Sequence, residues 1–125
     1  MLAEFGIRSP AGGKRRVGGK ELGRFLAEVV GRAVGVDPDR LRHPGRGDAR
    51  TAFARQVAIY VARTRLGLSF TAAGRLFGRD RTTAAHACRR VEERRDERWA
   101  DELVERVDDL VGCLALCIAA AEVAR

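Results

Sequence analysis

The stretch that decides the fold runs from Ser69 to Glu97 and reads SFTAAGRLFGRDRTTAAHACRRVEERRDE. Ser69 and Asp80 each stand directly before a run of helix-forming residues, which is where N-cap residues occur. Gly78 lies between the two runs and predicts a tight turn. A short helix, a glycine turn and a capped longer helix have the outline of a helix-turn-helix.

The segments on both sides of this motif are also predicted to be helical. Apolar residues recur at spacings of three and four, as in Leu22, Phe25 and Val29. The segment RHPGRGD at 42–48 interrupts the pattern and predicts a loop. The predicted helices cover about residues 20–35, 38–41, 49–66, 70–77, 81–97 and 99–123. The expected fold class is therefore all-α, a compact helical domain with an extra C-terminal helix.

Basic charge is concentrated in the middle of the chain. The net charge is +7, and nearly all of the basic residues are arginine, a bias that a high-GC coding sequence would also produce. Between residues 40 and 81 there are ten arginines and only two acidic residues, whereas residues 99–125 carry an excess of acids. Focused positive potential predicts a polyanionic partner for the middle of the chain. A solvated arginine-rich surface is the alternative.

The start of the helix predicted over 81–97 has residues that can contact base edges. Arg81 can donate to guanine, Asp80 can accept from cytosine, and threonine methyl groups can contact thymine. Arginines of the preceding loop and of neighbouring helices are candidates for phosphate contacts. The predicted DNA-binding residues are Arg42, Arg46, Arg50, Arg55, Ser69, Arg79, Asp80, Arg81, Thr82, Thr83, His86, Arg89 and Arg90.

Several of these assignments have a structural alternative. Asp80 can act only as a helix cap, and His86 can be a packed residue of its helix rather than a DNA contact. Arg90 can pair with the acidic residues that follow it along a solvated helix. Arg55 falls outside the apolar stripe of its helix, which predicts a position on the surface.

The sequence lacks the patterns that catalysis, metal binding or membrane insertion need. Neither Lys14 nor Lys20 is followed by the Ser or Thr of a phosphate-binding P-loop, so no nucleotide site is expected. The three cysteines contain no CxxC pair, and no metal, cofactor or catalytic residue is predicted. No apolar run is long enough to span a bilayer, and the N-terminus is not a secretory signal. These features predict a cytoplasmic, nucleoid-associated protein.

Three segments differ in composition. Residues 1–19, with Pro10, paired glycines and a basic cluster, are expected to be a flexible basic arm. Residues 20–98 form the predicted helix-turn-helix domain. Residues 99–125 form an amphipathic helix whose apolar stripe over 103–121 either packs on that domain or binds a second chain, its own or a partner's.

Two segments resemble the C-terminal DNA-binding domain (domain IV) of DnaA, the bacterial replication initiator. FGRDRTTAAHACRRVE at 77–92 is similar to the signature of that domain, and ARQVAIYVAR at 54–63 is similar to its preceding helix. The resemblance extends over about residues 22–97 and implies a Trp-repressor-like helix-turn-helix that binds double-stranded DNA. It also implies that base specificity comes from the residues at 80–83, and that the basic loop contacts the backbone and the minor groove.

The residue at position 81 differs between this chain and the DnaA signature. The initiator signature has histidine there, and Arg81 instead resembles bacterial relatives such as the DNA-binding half of gene transfer agent transcriptional activators. The resulting hypothesis is a sequence-specific transcription regulator without ATPase activity, and activation of a gene transfer agent cluster is its specific form. The alternatives are a replication-related protein that binds or competes for DnaA-box-like sites, and an architectural module that binds DNA weakly.

Overall fold

Six helices and a short hairpin make up the described part of this chain in its computed structural model. The structure describes the backbone of residues 4–8 and 14–123, and the side chains of residues 18–117, Ala120 and Ala121. Strands β1 (Glu4–Arg8) and β2 (Lys14–Gly18) pair in antiparallel register. The helices are α1 (Gly19–Val34), α2 (Pro38–Leu41), α3 (Ala49–Thr64), α4 (Phe70–Arg75), α5 (Arg81–Arg94) and α6 (Arg98–Val123).

The predicted all-α helix-turn-helix fold is confirmed by the helices that follow the hairpin. α4 and α5 are the two helices of the motif, and every predicted helix has a counterpart with similar ends. The arm predicted over residues 1–19 contains both strands, so its described backbone forms a hairpin. Cross-strand backbone hydrogen bonds need no apolar pattern, which is why side-chain periodicity did not predict them.

Four helices begin at a residue whose side chain accepts a hydrogen bond from the first turn. The caps and the amides that donate to them are Asp37 and Asp39 at 3.1 Å, Asp48 and Thr51 at 2.8 Å, Ser69 and Ala72 at 3.1 Å, and Asp80 and Thr83 at 2.8 Å. Each cap satisfies an amide that the helix itself leaves unpaired. The predicted starts of α2, α3, α4 and α5 are therefore confirmed.

α3 is the central helix of the core. The helices α1, α2, α4, α5 and α6 all contact it, and Val57, Ala58 and Val61 are completely buried. α5 packs chiefly on α3 and α4, where it buries Ala84 and Val91. Removal of this apolar surface from water stabilises the arrangement. The opposite side of α5 is left exposed to solvent.

A polar cluster joins α3, the end of α5 and α6. The Tyr60 hydroxyl donates to Glu92 at 2.5 Å, and Arg95 donates to the Tyr60 oxygen at 3.1 Å. Arg95 also donates to Asp101 at 2.7 Å and to Glu105 at 2.5 Å. Burial and the hydrogen bond to Glu92 raise the pKa of Tyr60, so the hydroxyl keeps its proton. The cluster fixes the C-terminal end of α5 against α6.

The first half of α6 belongs to the core, whereas much of its second half is exposed. Val104, Val107 and Val111 are buried, and the helix packs on α1 and α3. Leu110 is 48% exposed and Leu116 is 62% exposed. The buried face of α6 is therefore rotated relative to the predicted apolar stripe. Val104 and Val111, at the flank of that stripe, face the core, whereas Leu110, a member of the stripe, faces solvent. The helix is apolar nearly all round beyond Gly112, so spacing alone could not identify the face that packs.

The cysteines are free thiols in different surroundings. Cys88 is buried, whereas Cys113 and Cys117 are exposed. Burial raises the pKa of the Cys88 thiol and makes it a poor nucleophile. In the residues that the structure describes, no three His, Cys, Asp or Glu side chains come together as a metal site. None of the described helices is long and apolar enough to cross a membrane.

Candidate nucleic-acid interface

The first turn of α5 presents polar side chains to solvent. Arg81, Thr82 and Thr83 are exposed, and Asp80 caps the helix by accepting the Thr83 amide hydrogen at 2.8 Å. This bond, with a second from the Thr83 hydroxyl, lowers the pKa of Asp80 from its ordinary value of 3.8. A lowered folded pKa means that the cap contributes fully to stability at neutral pH. Its contribution is lost as the pH falls below about 4 and through the folded pKa.

The turn before α5 depends on two glycines. Gly78 has a φ of +66°, in the left-handed region that favours glycine. A Cβ on Gly74 would lie 2.8 Å from the carbonyl oxygen of Arg79 and 3.0 Å from that of Asp80. α4 and the turn therefore approach more closely than any side chain at position 74 would permit. This close approach fixes where α5 begins.

Gly74→Ala is expected to lower the free energy of unfolding by about 1–3 kcal/mol, because the added methyl group meets backbone atoms that cannot move independently. Urea unfolding followed by circular dichroism measures the change. Gly18→Ala is the matched control, since a Cβ at Gly18 meets no atom within 4 Å and should change stability by less than about 0.5 kcal/mol. Equal losses in the two variants would show that the close approach at Gly74 is unimportant.

An open cavity of about 260 Å³ lies between α3, α5 and the loop of residues 42–48, which we call the basic loop. Arg46 lines it from the loop, and Thr83 and His86 line it from α5. The fold thus brings together predicted site residues that are far apart in the sequence. Gln56 of α3 also lines the cavity and was not predicted. One feature of the sequence could have identified Gln56 as a site residue, because it lies in the segment at 54–63 that resembles DnaA.

Arg55 lies inside the protein, and its predicted position on the outer surface of α3 is wrong. The residue is only 6% exposed. Its guanidinium donates to four backbone carbonyls, those of Leu41 at 2.8 Å, Arg40 and Arg46 at 3.2 Å, and Gly45 at 3.4 Å. The donors of Arg55 are thus committed to the chain around the basic loop. The geometry makes Arg55 a support for this loop rather than a residue that faces outward to DNA.

Arg79 holds the other side of the same loop. Its guanidinium donates to the carbonyls of Gly45 at 2.9 Å, His43 at 3.2 Å and Phe77 at 2.6 Å. Burial lowers the pKa of both Arg79 and Arg55, and the charge of Arg79 lowers that of Arg55 further. The carbonyl oxygens offset this repulsion between two neighbouring cations. Because Arg79 directly precedes Asp80, the basic loop is tied to the start of α5.

The other predicted contact residues lie at separate places. His86, Arg89 and Arg90 are exposed on α5, so the alternative of a packed His86 is wrong. Ser69 is exposed at the cap of α4. Arg50 is exposed in the first turn of α3, but it lines a different groove together with residues of α6.

Uncompensated positive charge lies in the basic loop, at the start of α5 and farther along its exposed side. Among the described residues, no carboxylate pairs with Arg42, Arg46, Arg81, Arg89 or Arg90. Arg42 is half-buried, and the other four arginines are exposed. Positive charges on this side, next to polar donors and acceptors, form a surface that attracts a polyanion.

The profile of the family described as the bacterial DnaA protein helix-turn-helix matches residues 25–91. The match covers more than half of the chain and includes all of α3, α4 and the first turns of α5. The chain belongs to this family. The resemblance inferred from residues 77–92 is thereby confirmed, and DNA binding is the role of this motif in the bacterial DnaA helix-turn-helix family.

Two comparisons show how far the likeness to DnaA extends. The chromosomal replication initiator protein DnaA of Bifidobacterium animalis subsp. lactis (strain AD011) is 36% identical over 73 residues, which are 58% of this chain and 12% of that protein. A crystal structure of a DNA replication initiation factor has a TM-score of 0.67 and 26% identity, covering 78% of this chain and 30% of that one. This DnaA-family chain therefore spans only a small part of the length of either protein.

Proposed function

We propose that this chain is a sequence-specific transcription regulator that binds double-stranded DNA through α5. The observation that carries the proposal is the exposed polar first turn of α5, fixed by the Asp80 cap and by the close approach at Gly74. In a helix-turn-helix, the start of the second helix enters the major groove. Here that start offers Arg81, Thr82 and Thr83 to base edges.

The arginines around this turn are proposed to contact phosphates. Arg46 shares a cavity with Thr83, so a duplex that meets the first turn of α5 would also meet the basic loop. Arg89 and Arg90 lie farther along the exposed side of α5 and extend the positive surface. Phosphate contacts position the protein, and contacts with bases select the sequence. All of the proposed contacts come from side chains of α5 and the basic loop, so the proposed binding uses no nucleotide.

Arg81→Ala and Thr82→Ala are each expected to cost about 1–3 kcal/mol in binding to the specific duplex and to relax the preference at one base position. Arg46→Ala is the comparison, because loss of a phosphate contact should weaken specific and random duplexes alike. Fluorescence anisotropy titrations with both duplexes measure these effects. Equal weakening of both duplexes by Thr82→Ala would remove its role in base recognition.

A regulatory role is supported by Arg81 and by the exposed apolar residues Leu110 and Leu116 of α6, which could contact another protein. Arginine favours guanine at a position where the initiator signature has histidine, so the target is proposed to differ from the initiator's own box.

Chromatin immunoprecipitation with sequencing, combined with transcript profiles of a deletion strain, tests this regulatory role. Occupancy of promoters whose transcripts change on deletion is expected, with a gene transfer agent cluster as the specific candidate.

A replication-related role is the second candidate. It is favoured by the 36% identity to a chromosomal replication initiator over 73 residues. In this case the protein would bind or compete for DnaA-box-like sites. Occupancy of the replication origin and of no promoter, with transcription unchanged on deletion, would establish this role and reject the regulator.

The exposed second half of α6 is proposed to associate with another protein chain, of which a second copy is the first candidate. Leu110 and Leu116 are large apolar residues that stay exposed. The double variant Leu110→Glu/Leu116→Glu should abolish association, measured by sedimentation, and should spare folding and DNA binding. Val107→Glu should instead unfold the domain, because Val107 is buried. A wild-type chain that stays monomeric, both free and on DNA, would reject self-association.

A further inference from the structure

A second groove, of about 510 Å³, lies between the C-terminal end of α1 and the first turns of α3 and α6. Apolar side chains of Val34, Phe53, Trp99 and Leu103 line it. None of the residues of the first turn of α5 contributes to its wall. The groove is therefore separate from the surface proposed to bind DNA.

The groove contains a fixed aromatic platform. Trp99 is 50% exposed, and its ring centre lies 5.7 Å from that of Phe53. The Arg94 guanidinium lies 4.9 Å from the Phe53 ring centre and 5.1 Å from that of Trp99. The Trp99 indole also donates to Glu97 at 2.7 Å. A large aromatic side chain that is held in place yet half exposed is typical of the centre of a protein interface.

The charges at the rim leave an excess of positive charge. Glu102, an acid that lines the groove, accepts a hydrogen bond from Arg98 at 3.1 Å. Arg94 pairs with Glu97 at 3.2 Å. Among the described residues, Arg50 and Arg106 have no carboxylate partner, and both line the groove. An apolar groove with unpaired arginines at its rim favours a ligand that has an apolar side chain and nearby carboxylates.

We propose that this groove binds a short segment of a partner protein in which an apolar side chain is flanked by carboxylates. The apolar side chain packs against Trp99 and Leu103, and the carboxylates pair with Arg50 and Arg106. A nucleic acid fits less well, because its continuous phosphate backbone would have to pass the acidic face of α6, where Asp109 is exposed. A short peptide needs only the groove. This proposal does not depend on the role of α5.

The fluorescence of Trp99 tests the proposal directly, because it is the single tryptophan of the chain. The probe is a synthetic peptide, Gly-Ser-Glu-Phe-Leu-Glu-Ser-Gly, titrated into the full chain. A saturable change in emission is expected, and it should be much weaker for peptides with glutamine or lysine in place of both glutamates. Arg106→Glu should weaken binding by about tenfold, because it replaces an attraction with a repulsion. Arg75→Glu reverses an exposed arginine on α4 and should leave the affinity unchanged.

Four outcomes of the titrations would overturn the proposal. The first is no saturable change at millimolar peptide, and the second is an equal response to the lysine peptide. The third is equal weakening by Arg106→Glu and Arg75→Glu. The fourth is an eight-nucleotide single-stranded DNA that changes Trp99 emission, binds more tightly than the peptide and is weakened more by Arg106→Glu than by Arg75→Glu, because DNA bound at α5 alone would not show this pattern. In the Leu110→Glu/Leu116→Glu variant, which should not associate through the second half of α6, a change in Trp99 emission with protein concentration alone would also overturn the proposal, because a second copy of the chain would then occupy the groove. Circular dichroism of both variants shows whether each remains folded.

Discussion

An Arg55→Ala variant is expected to lose about 2–4 kcal/mol of folding free energy and to bind DNA weakly. The substitution removes a buried guanidinium that donates to four carbonyl oxygens. Those of Gly45 and Arg40 keep a second donor, from Arg79 and the His43 amide, whereas those of Leu41 and Arg46 lose the donor that Arg55 supplies. Buried acceptors without donors are costly, because they have also lost their hydrogen bonds to water. The basic loop, which carries Arg46, then loses its support. Urea unfolding and anisotropy titrations measure the two effects.

The free protein provides a readout of the loop that does not involve DNA. Trypsin cleaves after Arg42 and Arg46, and release of the loop should speed cleavage at both sites in Arg55→Ala and, to a smaller extent, in Arg79→Ala. Arg55→Lys keeps the charge but lacks the planar fork that reaches several carbonyls, so it should fall between the parent and Arg55→Ala. Arg89→Ala is the control, since it removes an exposed arginine and should leave stability and cleavage unchanged.

An Arg55→Ala variant with normal stability would contradict the role of Arg55 as a support for the basic loop. If Arg55→Ala were as stable and as resistant to trypsin as the parent, and lost only affinity for DNA, Arg55 would contact DNA directly. The prediction from the sequence that Arg55 binds DNA would then be right, and its hydrogen bonds to the carbonyls around the basic loop would not contribute to stability.

The starts of the helices could be predicted because each depends on a local interaction. Asp48, Ser69 and Asp80 each accept a hydrogen bond from an amide three residues ahead. A side chain of this kind directly before a helical run is therefore visible in the sequence. The turn could be predicted for the same reason, since Gly78 supplies the positive φ that it requires.

Contacts between distant segments could not be predicted in this way. Arg55 turns inward because carbonyls around the basic loop surround it, whereas periodicity counts arginine as polar and places it outside. Gln56 faces the cavity beside α5, and a single polar residue in a helix carries no sign of such a neighbour. Val107 packs in the core while Leu110 is exposed, although both are apolar. Tertiary packing, rather than residue type, decides these positions.

The first turn of α5 and the arginines around it are proposed to bind duplex DNA. Neutralisation of phosphates releases counterions, so such binding must weaken steeply as salt is added. With about 4–6 phosphate contacts, the slope of log affinity against log salt should be about −4 to −5. Between about 50 and 200 mM salt, the affinity should then fall by about 250- to 1,000-fold.

Anisotropy titrations of a labelled duplex at several salt concentrations are the most direct test of this claim. The parent chain should bind at low salt with the steep slope. A variant with alanine at Arg81, Thr82 and Thr83 should keep most of the slope but lose its preference for the specific duplex. Binding whose strength does not change with salt, or no binding to any duplex at low salt, would contradict the claim.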